Sequence, residues 1–251
     1  MELLFWNVDR LSASDTRTRR RFDRVMAEAA SRPFEVLGLT EVNRSPLARL
    51  CRFGSVGGFE VLHREEDECR VHAVLLIALE LRVTAHATVA SIDRRGRMRS
   101  EAVMASVEDL SGRELTVSAV YNYSPWPQVL DGVQDFSDRR SGGSAVIGGD
   151  FNMARSLDSD PGLAHLGTAA FDLIGVELGW EHVPADPGGD EVPTWPVGPG
   201  PSSSPRQLDH LFVKGVGDAS EVVCSVVAPP TEKVRLSDHA MLRAQLLPSA
   251  A

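Results

Sequence analysis

The stretch AVIGGDFNMA, residues 145–154, ends an apolar run with an acid and an amide that stand two positions apart. The run from Ser144 to Ile147 has the composition of a buried strand, and the two glycines after it permit a tight turn. Alternate residues of an extended chain point to the same side, so Asp150 and Asn152 can present their side chains together. Gly, Asp and Asn are also the commonest turn residues, so the stretch by itself predicts a plain turn as readily as a polar site.

Apolar runs of this kind recur along the chain, rich in Val, Ile and Leu and separated by polar or Gly/Pro breaks. Several alternate with polar residues, as in LTVSA at 115–119, which indicates strands with one face in a core. The predicted strands are Leu3–Val8, Val36–Thr40, Phe59–His63, Val71–Leu79, Val83–Ile92, Ala102–Val107, Leu115–Tyr123, Ala145–Ile147, Leu208–Val213, Val222–Val227 and Ala240–Leu246.

Helical patterns are fewer. An apolar stripe predicts a helix between Asp15 and Ala30, with Ser14 or Asp15 as its N-cap. Many strands with a few helices between them predict two sheets packed face to face, with helices outside them. The residues of the stripe are Phe22, Val25, Met26 and Ala29, and the weaker helix candidates are Asn43–Phe53, Gln128–Ser137 and Gly167–Leu178.

Length and charge narrow the class of protein. A chain of 251 residues, 43% of them hydrophobic, fits one large domain or two small ones with a sizeable core. A net charge of −9 argues against a passive nucleic-acid coat, because such proteins hold phosphate with excess Lys and Arg. An enzyme that touches phosphate at one small site remains allowed. Arginine clusters at 17–21 and 94–99 are either solvated faces of a helix and a hairpin or a means of steering an anionic substrate.

The sequence predicts a soluble cytoplasmic protein. Cys51, Cys69 and Cys224 are isolated and lack CxxC spacing, which predicts neither a disulfide framework nor a zinc site. The N-terminal MELLFWNVDR has no basic leader and no small-residue cleavage pattern, so no signal peptide is expected. No uncharged apolar segment approaches the ~20 residues of a membrane span. We therefore expect no membrane association, and nothing in the sequence indicates an obligate protein partner.

Polar side chains stand at the ends of five predicted strands. Each one alone is more often a turn former or a structural residue than part of a site. Glu41 is the least easily explained in that way, because a carboxylate at the edge of an apolar run needs a partner or a metal. The residues are Asn7 and Asp9, Glu41, Asp150 and Asn152, Asp209, and Asp238 and His239.

Six segments in order along the chain resemble the signature set of the endonuclease/exonuclease/phosphatase superfamily, which has the deoxyribonuclease-I-like fold. The segments are WNVDRL, LTEV, YNYSP, GGDFN, TW followed by RQLDHLFV, and LSDHAML, and they span residue 2 to about residue 246. At the level of motifs the similarity is closest to abasic-site endonucleases of the exonuclease III type. The resemblance implies a single domain over residues 1–251, built as a four-layer α/β sandwich. Its two central mixed sheets would be flanked by helices, with the site at the strand ends along one edge.

The resemblance also implies hydrolysis of a phosphoester with Mg²⁺, or Mn²⁺, as cofactor. Both are hard cations that prefer oxygen ligands. Glu41 is the first choice as metal ligand, with Asn7 beside it. Asp9 and Asp238 are expected close enough to assist, directly or through water.

The remaining roles concern water and phosphate. Asp150 is expected to orient or deprotonate the attacking water, and Asn152 to place its amide against the phosphate. The resemblance pairs His239 with Asp209, which would fix the imidazole tautomer and raise its pKa, so that His239 donates to a phosphoryl oxygen.

Two aromatic positions stay open. The family usually places a Tyr or His on the strand before the GDFN segment, often as Tyr-x-Pro, and Tyr123 followed by Pro125 fits that pattern better than Tyr121 does. The phenol of Tyr123 is therefore expected to hydrogen-bond the phosphate. Tyr121 remains the alternative and a candidate substrate contact. Trp195 either stacks on a base or sugar, or packs within its own loop.

The leading hypothesis is a Mg²⁺-dependent nuclease or phosphodiesterase that acts on nucleic acid or nucleotides. The alternative within the same chemistry is a phosphatase of a sugar or metabolite phosphate, and a non-catalytic binding module is the third hypothesis. Fold and catalytic residues do not choose among substrates. Because the sequence shows no insertion of basic and apolar wedge residues, the similarity to abasic-site enzymes is not extended to a role in repair.

Overall fold

Two six-stranded sheets pack against each other in the computed structural model, which describes residues 1–65, 71–92, 98–109, 112–122, 127–195, 205–216, 222–227 and 236–247. The first sheet consists of β1 (Glu2–Leu11), β2 (Val36–Asn43), β3 (Phe59–His63), β4 (Val71–Ala78), β11 (Val222–Val227) and β12 (Met241–Leu246). The second consists of β5 (Arg82–Ile92), β6 (Met98–Glu108), β7 (Glu114–Asn122), β8 (Ala145–Asp150), β9 (Glu181–Val183) and β10 (Asp209–Lys214).

Both sheets are mixed. Their strand orders are β11-β12-β1-β2-β4-β3 and β5-β6-β7-β8-β10-β9. The β1–β2 and β7–β8 pairs are parallel, and the other pairs are antiparallel. Helices lie on the outer faces, which confirms the predicted four-layer α/β sandwich.

The β1 strand is apolar on both faces because both faces are covered. Leu3 and Phe5 belong to the core between the sheets, whereas Leu4 and Trp6 belong to the core under the first sheet's helices. This is why β1 appears in the sequence as an unbroken apolar run and not as an alternating one. The second sheet has its own outer core, which includes Phe151.

The helices follow the predicted stripes, with shifted ends. Helix α1 (Thr16–Ala30) is capped by Asp15, whose side chain accepts hydrogen bonds from the backbone N–H groups of Arg17 and Thr18. The prediction Asn43–Phe53 was wrong at its start, because Asn43 still belongs to β2 and the helix forms only after Pro46. The other helices are α2 (Leu47–Gly57), α3 (Pro127–Arg140) and α4 (Thr168–Asp172), the last of which continues into a π-helical turn, Leu173–Glu177.

The arginines of the first cluster do not share one environment. Arg17, Arg19 and Arg20 are exposed on α1, as predicted for a solvated helix face. Arg21 instead donates hydrogen bonds to the backbone carbonyls of Val8, Asp9 and Leu236. It therefore holds the end of β1 against the segment that leads into β12. In the second cluster, residues 94, 95 and 97 lie outside the described residues.

Within the described segments, no helix is both long enough and apolar enough to cross a lipid bilayer.

Candidate active site

The strand ends named in the sequence converge at one edge of the sandwich. The parallel pair β1–β2 brings Asn7 opposite Thr40, next to Glu41, at the carboxyl end of the first sheet. In the second sheet β8 ends with Asp150, directly opposite Asp209 at the start of the antiparallel strand β10. His239 precedes β12, which runs antiparallel to β1 and so begins at the same edge.

Asn7 connects the two sheets. Its Nδ2 donates to Asp150 Oδ2 at 2.7 Å and to Glu41 Oε1 at 3.2 Å, while its Oδ1 accepts from the backbone N–H of Asp9 at 2.9 Å. The side chain is fully buried. A single carboxamide therefore holds two carboxylates from different sheets beside each other.

Unusual backbone conformations mark the same edge. Among the described residues, the non-glycine positions with positive φ are Asp9, Arg10, Glu41 and Asn152, at 44°, 53°, 58° and 51°. In β1 and β2 they coincide with register shifts, between Asn7 and Leu11 and between Leu39 and Val42. Left-handed backbone at non-glycine residues is costly and is characteristic of functional sites.

Asp150 is a buried acid with an elevated pKa. Its side chain is 1% exposed, and its Oδ1 accepts the backbone N–H of Asn152 at 2.8 Å. The pKa of Asp150 is raised to about 7, chiefly by burial and also by the charges of Asp209 and Glu41, while His239 and the Asn152 N–H oppose the rise. A carboxylate with a pKa near neutrality is suited to accept a proton from water.

His239 and Asp209 form a buried ion pair, with 2.7 Å between Nδ1 and Oδ2. Burial by itself lowers the pKa of His239. The charge of Asp209, its hydrogen bond, and the charges of Asp150 and Asp238 outweigh burial and raise the pKa to about 10. The imidazole is therefore protonated at neutral pH. Because Nδ1 faces Asp209, the Nε2–H is the one left for a substrate oxygen.

Several supporting residues were missed by the sequence analysis. Ser237 Oγ donates to the Asn7 carbonyl at 2.6 Å and accepts the His239 N–H at 3.0 Å. Thr194 Oγ1 accepts the backbone N–H groups of Leu208 and Asp209. Both hydroxyls lie in the motif segments LSDH and TW. No sequence pattern distinguishes a buried, hydrogen-bonded hydroxyl from a solvent-exposed one, so neither could be identified in advance.

His210 was also missed. It is fully buried, and its Nε2 donates to the carbonyl of Met153 at 2.8 Å, which holds the loop that follows Asn152. Burial lowers its pKa to about 4, so the ring is neutral. Its adjacency to Asp209 was the only available signal.

The other predicted site residues lie at the margin. Asp9 is half-buried, with its carboxylate 3.9 Å from Arg21. Asp238 Oδ2 accepts the indole N–H of Trp195 at 3.0 Å. Trp195 also packs against the small apolar cluster around Leu208, which corresponds to the loop-packing alternative.

Of the two tyrosines, Tyr121 is the penultimate residue of β7 and lies opposite Asp150 in the parallel register. Tyr123 lies outside the described residues, so its role stays a prediction.

The residues present fit a hard divalent cation held by few protein ligands. Across the described segments, no three His, Cys, Asp or Glu side chains gather in a way that could hold a metal ion. Glu41 nevertheless offers a carboxylate beside the Asn7 carboxamide, and Mg²⁺ usually keeps several waters and binds one or two carboxylates. The buried Nδ2 of Asn152 has no hydrogen-bond partner, as suits a donor for a phosphate oxygen.

Gly149 gives a prediction for this edge. Its φ is +139°, and a Cβ built there would lie 2.2 Å from the carbonyl oxygen of Val120 in β7. We expect Gly149→Ala to lower the free energy of unfolding by about 3 kcal/mol or more, measured by urea denaturation. Gly189→Ala, which shares a positive φ but meets no atom within 4 Å, is the control for backbone strain alone. Equal losses in the two variants would contradict the steric explanation.

Comparison with known proteins identifies the family to which the chain is similar. The model of the Endonuclease/Exonuclease/phosphatase family matches residues 4–239. No curated protein matches the sequence. Among solved structures, the human Nocturnin catalytic domain with bound sulfate aligns with a TM-score of 0.71 at 13% identity, covering 97% of this chain and 93% of that one. A complex of Danio rerio TDP2 with a single-strand DNA product aligns at 0.68 and 17% identity, covering 97% of both chains. An endonuclease/exonuclease/phosphatase from Bacteroides vulgatus aligns at 0.71 and 17%, also over 97% of both.

Proposed function

This chain belongs to the endonuclease/exonuclease/phosphatase family, and from that premise we propose that it is a Mg²⁺-dependent phosphodiesterase that hydrolyses nucleic acid or nucleotides. The observation that carries the proposal is the contact of Asp150 with Asn7 and, through it, with Glu41, beside the Asp209–His239 ion pair. These groups supply a base, a cation site and a charged donor at one edge of the sandwich.

The roles follow from the protonation states. Asp150 accepts a proton from the attacking water, since its pKa of about 7 places its ionised form within reach at neutral pH. His239 donates Nε2–H to a non-bridging phosphate oxygen, and Asn152 donates its unpartnered amide to another. A divalent cation, when bound, would supply positive charge to the phosphate oxygens. Glu41, with Asn7 beside it, would hold that cation, and Asp9 and Asp238 would assist directly or through water.

The nucleic-acid assignment draws on the comparisons as well as the site. The Danio rerio TDP2 structure contains a single-strand DNA product and aligns over nearly all of both chains. A sugar or metabolite phosphatase uses the same chemistry and is the alternative substrate class. The response of KM to salt separates them, because a polymer substrate releases several counterions on binding and a small one does not.

The test is hydrolysis of bis-p-nitrophenyl phosphate with Mg²⁺ or Mn²⁺, followed by a screen of DNA, RNA, nucleotides and sugar phosphates. We expect turnover of the diester and of at least one nucleic acid, with a KM that rises steeply with salt. A folded, metal-supplemented protein that hydrolyses neither the diester nor any phosphomonoester would favour the binding module instead.

Glu41→Ala is expected to weaken Mg²⁺ binding by about tenfold or more. The substitution removes the partly exposed carboxylate that is proposed as the main metal ligand. The measurement is titration calorimetry with Mg²⁺ or Mn²⁺ in the absence of substrate. Glu60→Ala removes an exposed carboxylate from β3 of the same sheet and serves as the control. Unchanged affinity in Glu41→Ala would remove Glu41 from the metal site.

A further inference from the structure

Glu101 is a buried acid to which the proposed chemistry gives no role. It lies on β6 in the second sheet, is fully buried, and sends its Oε2 to the backbone N–H of Ala73 at 2.6 Å. Ala73 belongs to β4 of the first sheet. The Glu101 side chain therefore crosses the interior from one sheet to the other, as Asn7 does at the site itself. Burial raises the pKa of Glu101 to about 7, although the Ala73 N–H and the charge of Arg64 oppose the rise.

The residue that Glu101 contacts, Ala73, has no paired residue in either strand beside β4. On one side, β2 leaves out Ala73 where its register shifts between Leu39 and Val42. On the other side, β3 ends its pairing at Val74. A buried N–H without an acceptor is costly, so the sheet needs an acceptor from elsewhere. The Glu101 carboxylate supplies it.

The register shift that isolates Ala73 is also the irregularity that carries Glu41. Thr40 and Glu41 are the residues of β2 left without partners on β4, and Glu41 has a φ of +58°. An irregularity of this kind redirects a side chain that a regular strand would aim elsewhere. The irregularity in β2 keeps its shape only if the β4 backbone opposite it stays in place.

We propose that Glu101 is a positioning residue for Glu41: its carboxylate fixes the β4 backbone opposite the irregularity in β2, and so fixes the direction in which Glu41 meets Asn7. The inference rests on the proposed metal-dependent function of that site. It assigns Glu101 no contact with metal or substrate. Supporting groups behind metal ligands typically change metal affinity or activity by about 10–100-fold when they are removed.

The chemistry of the contact predicts an unusual order among substitutions. Glu101→Gln keeps the chain length and an amide oxygen that can accept the Ala73 N–H. Glu101→Asp keeps the charge but withdraws the carboxylate by one methylene. We therefore expect Glu101→Gln to resemble the parent, and Glu101→Asp and Glu101→Ala to be impaired. If the negative charge of Glu101 mattered instead of its reach, Glu101→Asp would resemble the parent and Glu101→Gln would be impaired.

The experiment measures Mn²⁺ affinity by titration calorimetry without substrate, together with kcat and KM on bis-p-nitrophenyl phosphate. We expect Glu101→Gln to bind Mn²⁺ within about twofold of the parent, and Glu101→Asp about tenfold more weakly. The loss in activity should appear as a higher metal requirement, with KM for the diester unchanged. Glu108→Gln, at the opposite end of β6, controls for loss of a carboxylate on that strand.

Thermal unfolding of the metal-free proteins separates positioning from folding. If Glu101→Ala fails to fold, the comparison of Glu101→Gln with Glu101→Asp still decides the matter. Parental Mn²⁺ affinity in a folded Glu101→Asp protein would overturn the inference, as would a Gln variant impaired more than the Asp variant. A parent protein that binds no Mn²⁺ at all would instead contradict the proposed function.

Discussion

Replacing Asp150 with Asn is expected to lower kcat by about 10² or more while leaving metal binding nearly intact. The amide cannot accept the proton of the attacking water. It preserves the size of the side chain and keeps an acceptor oxygen for one of the two hydrogen bonds that Asp150 accepts, from Asn7 at Oδ2 or from the Asn152 N–H at Oδ1. The measurement is single-turnover hydrolysis of bis-p-nitrophenyl phosphate at saturating metal, with Mn²⁺ titration calorimetry alongside.

The same variant should not be less stable above neutral pH. The folded state raises the pKa of Asp150 from 3.8 to about 7, so ionisation of the buried acid costs stability as pH rises through that interval. Removing the charge removes that cost, and thermal unfolding at pH 8 is expected at the parent temperature or above it. Asp135→Asn, at an exposed position on α3, is the control. Parental kcat in Asp150→Asn would show that another group activates the water.

Replacing His239 with Gln is expected to lower kcat by about 10²–10³, the usual effect of removing one charged or preorganised donor from a transition state. The buried pair with Asp209 holds this imidazole protonated, with a pKa of about 10. Activity that depends on the imidazolium should therefore persist at alkaline pH and fall only as pH approaches 10.

Asp209→Asn separates charge from orientation in this pair. The amide oxygen can still accept the Nδ1–H, but the charge that opposes burial is lost, so the pKa of His239 falls. The alkaline limit of kcat is expected to move to a markedly lower pH. The stability that the parent gains from this pair should also fall at alkaline pH. The contribution to the free energy of unfolding is complete below pH ~6.5 and is lost as pH rises through 10. An alkaline limit that stays in place would mean that His239 does not act as the charged donor.

The strands were predictable because their burial is continuous. The apolar run of β1 reflects two covered faces, and the ends of Phe59–His63 and Val222–Val227 were predicted to the residue. The three-residue strand β9 was missed, since Glu181–Val183 is too short to show a period. The π-helical turn after α4 was missed for a related reason, because one wide turn does not alter the apolar spacing before it.

The convergence of the strand-end residues at one edge was predictable from the sequence, but their contacts were not. Asn7 and Asp150 are 143 positions apart, and no local pattern states that one amide would join Asp150 to Glu41. Glu101 was hidden because the predicted strand began one residue later, at Ala102, which left the acid in an apparent loop. A buried carboxylate is identifiable only when the opposite sheet is in place.

The hydrogen bond from Asn7 to Asp150 joins the two sheets at the candidate active site. The proposed base and the proposed cation ligand thus belong to different sheets, and neither sheet alone contains both. Under the proposed function, a newly made chain, or one damaged by heat, is inactive until the two sheets dock. Completion of the whole sandwich is then a precondition for hydrolysis.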